Sequence, residues 1–209
     1  MNHDAVRRVG MFGGAFDPPH LAHRRLAETA VAQLGLQRLH IVPTGQAWHK
    51  ARTLTSAQHR LAMCGLAFGD VPGVVLDDRE IRRQGPSYTA DTLMELRALY
   101  PQAELYLILG ADQLLSFKSW VRWDEVLGLA RLAVADRPFD DDGGADDEDS
   151  GPDLDGIDIP FEKVLMPPWR MSATRVRAQA AAGSATVGQM VPEAVSSYIS
   201  QHSLYPTSQ

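Results

Sequence analysis

The 209 residues, 44% hydrophobic and 22% charged, suffice for one large α/β domain or two small ones around a buried core. A single cysteine, Cys64, excludes an internal disulfide and a cysteine-based zinc cluster and fits a reducing, cytoplasmic setting; no apolar run approaches a membrane span, and MNHDAVRRVG lacks a secretory core. Net charge is −6, yet residues 140–158 hold ten acidic side chains and no basic one, so the rest carries +4 and suits a polyanionic substrate. No basic stripe with interleaved aromatics points to a nucleic-acid partner.

In chain order, the pattern predicts a strand over residues 6–12 and a helix over 21–34, with Ala27, Ala30, Val31 and Leu34 on one face and Gly35 behind it. A strand over 38–42 stops at Pro43, a helix covers 55–68, and a brief strand covers 74–76. A helix over 89–100 ends at Pro101, and a strand over 104–109 is closed by Gly110. Short helical pieces fill 112–128, and a strand follows over 131–135. Such alternation means βαβ units: a mostly parallel sheet with helices on both faces, binding its ligand beyond the carboxyl ends of the strands where strand order reverses. One domain over 1–209 is expected, with a C-terminal helical segment at 172–209. Val195, Tyr198, Ile199 and His202 form a stripe there that could pack on the body or on a partner. Residues 140–158, rich in Gly, Pro and acid, read as a flexible solvated insertion, and they do not match the EF-hand spacing.

The stretch GGAFDPPHLAHRRLAE, residues 13–28, concentrates chemistry where the first helix begins. Gly13 and Gly14 allow a sharp turn and close approach of backbone to a ligand. The helix behind them offers unpaired N–H groups and the positive end of its dipole, a phosphate-friendly arrangement. Neither the dinucleotide fingerprint nor the P-loop is present. Pro18 and Pro19 stiffen the approach to the helix. His20 and His23, at i and i+3, share a side; they can donate to a phosphoryl oxygen, with partial charge available at neutral pH. The pair lacks the H-E-x-x-H pattern and a neighbouring third ligand, so no resident metal site is expected. Further on, residues 171–183 read as a helix capped by Ser172 and ended near Gly183. Its N-terminus, with Ser172, Thr174 and Arg177, forms a triphosphate clamp or, more plainly, a capped amphipathic helix.

GGAFDPPHLAH resembles the GG-T-FDP-x-H-x-GH signature of the (H/T)-x-G-H nucleotidyltransferases, with Ala15 for the usual threonine and Ala22 for the usual glycine. That family includes adenylyl- and cytidylyltransferases. Four later segments are similar to those of bacterial nicotinate-nucleotide adenylyltransferases: VPTGQAWHK (42–50, Trp48 for proline), SYTADT (87–92), LILGADQLLSFKSW (107–120) and RMSATRVRA (170–178, with Met171 and Ala173 as departures). The resemblance runs from about Val9 to Arg177.

It implies a Rossmann-like nucleotidyltransferase fold and the joining of ATP to nicotinate mononucleotide, giving deamido-NAD and pyrophosphate in NAD biosynthesis. His20 and His23 are implied as catalytic. Gly13, Gly14, Phe16, Asp17, Gly110, Arg137, Ser172, Thr174 and Arg177 are implied for ATP. Lys50, Tyr88, Thr89, Asp112 and Trp120 are implied for the mononucleotide, Trp120 by stacking on the pyridine ring and Asp112 by bonding a ribose. Each has a plainer reading: Trp120 as core, Asp112 as a helix cap, Lys50 as a solvated loop lysine. Mg²⁺ is expected on the ATP phosphates. Nicotinamide mononucleotide, another phosphorylated acceptor, or a nucleotide-sensing module without chemistry are the alternatives, and oligomeric state is left open.

Overall fold

The computed structural model describes residues 5–45, 54–136, 154, 156–167 and 171–206. Six strands form one fully parallel sheet: β1 (Arg8–Gly14), β2 (Arg38–Pro43), β3 (Val74–Leu76), β4 (Glu104–Leu109), β5 (Arg131–Asp136) and β6 (Phe161–Leu165). Their order is β3-β2-β1-β4-β5-β6, so the chain reverses direction of travel between β1 and β4. Every strand ends on the same edge, and the switch point lies beside Gly14 and Leu109, where a ligand crevice is expected.

Alternation along the strands feeds two cores. Phe12, Leu39, Ile41, Tyr106, Ile108, Ala133 and Val164 face one layer, built by α1 (Leu21–Leu34), α2 (Ala57–Phe68), α7 (Ala173–Ala181) and α8 (Glu193–Gln201). Val9, Met11, Val42, Leu105, Leu107, Leu109, Leu132 and Val134 face the other. That second layer is built by α4 (Thr89–Leu99), α5 (Ala111–Leu115) and α6 (Trp123–Leu129); a single turn, α3 (Arg79–Arg82), precedes α4. Each large aliphatic side chain so buried contributes about 1.5–3 kcal/mol, which is why strands with two buried faces are nearly all apolar.

The structure bears out the α/β architecture and most element positions, and adjusts several. Gly13 and Gly14 are the last two residues of β1, paired opposite Val42 and Pro43, rather than the turn after it. The sharp bend falls instead on Phe16, with φ 45°, ahead of a cis Asp17–Pro18 bond. β6 was not legible because only Val164 of FEKVL is fully buried on this edge strand. The C-terminal stripe packs on the body, with Val195 and Ile199 in the first core. Of the acidic stretch, residues 140–153 and 155 lie outside the described residues. Its end is corrected: Leu154 and Ile159 are buried in the second core and Ile157 packs against it, so apolar burial recovers the chain by residue 154. Among the described residues, no helix is long and apolar enough to cross a membrane.

Candidate active site

The histidine pair forms its own helix cap. His20, extended at the N-cap of α1, accepts the His23 N–H at Nδ1 (3.4 Å), while His23 Nδ1 accepts the His20 N–H (3.2 Å). The rings stack at 3.6 Å and 16°. This geometry has a chemical consequence. An Nδ1 that accepts cannot carry the proton, so each neutral ring bears it at Nε2. Two parallel N–H donors result. Burial pushes the His20 pKa down to about 4; desolvation and then the neighbouring His20 hold His23 well below its ordinary value. The sequence-based expectation of partial charge at neutral pH is therefore corrected for the free protein: both rings are neutral donors there, because charging them would desolvate a cation and displace a cap.

The bend before this pair is held from four directions. Asp17 is buried, and its carboxylate accepts the Tyr205 hydroxyl at Oδ1 (2.7 Å) and the Thr55 N–H at Oδ2 (3.2 Å). Its carbonyl accepts from Arg177 (2.8 Å). Phe16 is buried against Phe12, His23 and Phe68. Both were expected to contact ATP. In the structure the Phe16 side chain is a core ring packed on His23, and the Asp17 carboxylate accepts from Tyr205 and Thr55. At Gly14 a Cβ would lie 3.2 Å from the Phe16 ring, a tight contact that the buried ring would have to relieve. At Gly13 a Cβ would meet only ordinary contacts, from Met11 and the Val42 carbonyl, whereas Gly110 borders open space.

Arg60 was missed by sequence reading. It sits on the apolar face of α2 with Met63, Cys64 and Ala67, nearly fully buried. Its guanidinium donates to the carbonyls of Thr55, Ala15, Thr44 and Gly45, joining the bend after β1 to the end of β2. A charged residue at a core position of an amphipathic helix was the available signal.

Arg177 also fixes α7 to the bend: one nitrogen reaches Asp17 and another donates to Thr174 Oγ1 (3.0 Å). Ser172 caps α7, its Oγ accepting the Arg175 N–H (3.2 Å). The structure thus brings together His20, His23, Thr174 and Arg177, the proposed phosphate side, within the first layer.

The other expected residues lie on the second layer. Tyr88, exposed, is the N-cap of α4 and lacks a side-chain cap bond; Thr89 is the first residue of that helix. The leading N–H groups of α4 have no partner inside the helix and face whatever lies beyond it. Beside them, the Ser87 hydroxyl is buried with no partner among the described residues. Gly110 caps α5, so the cap reading of Asp112 is corrected: Asp112 lies in the first turn, exposed, just past β4. Trp120 is half-buried, its ring 5.4 Å from Phe117, and Trp123 packs on the same phenylalanine at 6.4 Å. Arg122 ties that loop to Asp91 of α4. Lys50 and Arg137 lie outside the described residues. Among the described residues, no cluster of three or more His, Cys, Asp or Glu forms a metal cage.

Residues 11–179 match the family model described as cytidylyltransferase-like. A relative from Albidiferax ferrireducens, named "Probable nicotinate-nucleotide adenylyltransferase", is 50% identical over 97% of this chain and 100% of its own. One from Methylibium petroleiphilum with the same name is 42% identical over 98% and 95%. A solved structure of Plasmodium falciparum nicotinic acid mononucleotide adenylyltransferase complexed with NaAD superposes with a TM-score of 0.72, covering 95% of this chain and 97% of that one; at 17% identity it bears on the fold. Matched along nearly its whole length at half identity, and carrying the histidine pair at the reversal of a parallel sheet, the chain belongs to the cytidylyltransferase-like family and, within it, to the nicotinate-nucleotide adenylyltransferases.

Proposed function

We propose that the chain joins ATP to nicotinate mononucleotide, releasing pyrophosphate and deamido-NAD, a step of NAD biosynthesis placed in the cytoplasm. The observation that carries the reading is the reciprocal cap, which leaves two preset Nε2–H donors at the switch point. A phosphomonoester is mostly dianionic at pH 7, its second pKa being about 6, so the acceptor needs no strong base. Its oxygen attacks the α-phosphorus in line; a new P–O bond forms, the α–β bridge breaks, and pyrophosphate leaves. His20 and His23 donate to the α-phosphate oxygens, where charge builds. Ser172, Thr174 and the first N–H groups of α7, with Arg177, receive the leaving pyrophosphate. Gly13 and Gly110 admit the nucleotide to the crevice.

Mg²⁺ belongs to this reading as the companion of ATP. The described donors here are imidazole, hydroxyl and guanidinium groups rather than a carboxylate cage, so the ion would be held through ATP and would neutralise phosphate charge. On the acceptor side, Trp120 stacks on the pyridine ring, Asp112 bonds the ribose, and the start of α4 with Tyr88 and Thr89 receives the carboxylate. Lys50 and Arg137 would add cations to the phosphate and adenosine sides. A carboxylate calls only for donors, and the leading N–H groups of α4 supply donors only.

The test is pyrophosphate release with ATP and Mg²⁺ and, in parallel, nicotinate or nicotinamide mononucleotide. Release with the acid alone is expected. Equal release with the amide would remove the acid preference, and none with either would leave a nucleotide-binding module.

A further inference from the structure

Asp17 sits at the bend that presents the histidine pair, and its carboxylate accepts a hydrogen bond from near the far end of the chain. Tyr205, 188 positions away and outside the residues matched by the family model, donates to Asp17 Oδ1 at 2.7 Å. The backbone takes an unusual course to deliver that ring. After α8, Ser203 adopts φ 48° and Tyr205 φ 61°, and at the other end of the bond Phe16 adopts φ 45°. Side chains rarely take this left-handed conformation, and it persists only where the surroundings over-determine it. Leu204 and Tyr205 pack on the same core that buries Phe16. Two bends, one before the histidines and one at the C-terminus, are therefore held against each other through a single buried carboxylate.

We propose that Tyr205 is a positioning residue for adenylyl transfer: its hydroxyl locks Asp17, and through it the bend that aims His20 and His23 at the α-phosphate. The inference rests on the adenylyltransferase reading above. Arg177 and Thr55 grip the same aspartate from α7 and from the approach to α2, so the tail completes a three-way clamp rather than covering a finished site. Small displacements of donors aimed at a transition state cost rate more than binding.

Tyr205→Phe keeps the ring and removes the hydroxyl. We expect kcat to fall about tenfold while KM for ATP and for nicotinate mononucleotide each change by less than about threefold, as for loss of a hydrogen bond to a charged group. In an Asp17→Asn background the same change should cost less than about twofold further, since the bond is already altered. A readout independent of turnover is the imidazole titration of His20, followed by NMR: it should move from about 4 toward 6.5 in Tyr205→Phe if the bend loosens. That readout separates failure of the clamp from failure of the reaction. Wild-type kcat in Tyr205→Phe overturns the proposal, as does an unshifted His20 titration. A loss of rate recovered fully by assaying at lower temperature also overturns it, since Tyr205 would then support the fold alone.

Discussion

The two helical layers equip the crevice differently. On the layer proposed to bind phosphate, the side chains are already held by one another: His20 and His23 hold each other, Arg177 is bonded to Asp17 and Thr174, and Arg60 grips four carbonyls. On the acceptor layer, Tyr88 and Asp112 are exposed and Trp120 is half-buried; what is fixed there is backbone, namely the starts of α4 and α5. Stabilisation of a transition state depends on donors that need not reorganise, whereas recognition of a small acceptor tolerates side chains that settle on binding. On the proposed reading, the difference teaches that chemistry and acceptor choice are housed on opposite faces of one sheet.

Breaking the phosphate layer should have the largest effect. His20→Ala should lower kcat by about a hundredfold or more, the size found for loss of one transition-state donor, with the far-UV spectrum and cooperative melting retained. A folded variant with near-normal turnover would sink the assignment. Arg60→Met keeps length and apolar packing but orphans several buried carbonyls; a loss of about 3 kcal/mol or more in denaturant stability is expected, against no comparable loss for exposed arginines such as Arg82. On the acceptor layer, Trp120→Ala should raise KM for nicotinate mononucleotide about tenfold and leave KM for ATP alone, a stack being worth ~1–3 kcal/mol. Equal weakening of both substrates would mean the two layers are not functionally separate.

The neutral histidines also set a pH dependence. His20 is near 4 when folded and near 6.5 when unfolded. Between those values the unfolded chain binds the proton the folded one refuses, so stability is intact above pH 6.5 and is lost as pH falls toward 4. His20→Asn, which keeps a capping acceptor, should remove about 3 kcal/mol of that acid sensitivity in urea titrations at pH 7 and pH 4. The smallest effect is expected from excising residues 140–150. Their composition carries charge and little apolar surface, so turnover should stay within about twofold, whereas a deletion extended through Leu154 and Ile159 should destabilise the second core.

Much of this was legible because the local signals agreed. The 21–34 helix, the 74–76 and 104–109 strands and the Ser172 cap lie where periodicity and capping chemistry put them. The His20–His23 spacing alone made a shared face certain. Asp17 and Phe16 were harder: both lie in the signature, but only packing reveals that one is clamped and the other is core. Arg60 and Tyr205 were not legible as site supports, since the carbonyls and carboxylate they bond come from segments distant in sequence.

What the amino-acid order determined by itself was the alternation of strands and helices, the glycine-proline-histidine cluster at the first helix, and the resemblance that names the reaction. These depend on contacts between residues a few positions apart, where φ preferences, hydrophobic period and cap chemistry act directly. Tertiary structure decided the strand order, the protonation state of the histidines, and the joining of Tyr205 to Asp17. Those depend on burial and on hydrogen-bond partners brought from up to 188 positions away, and desolvation exists only once the chain has closed around the site.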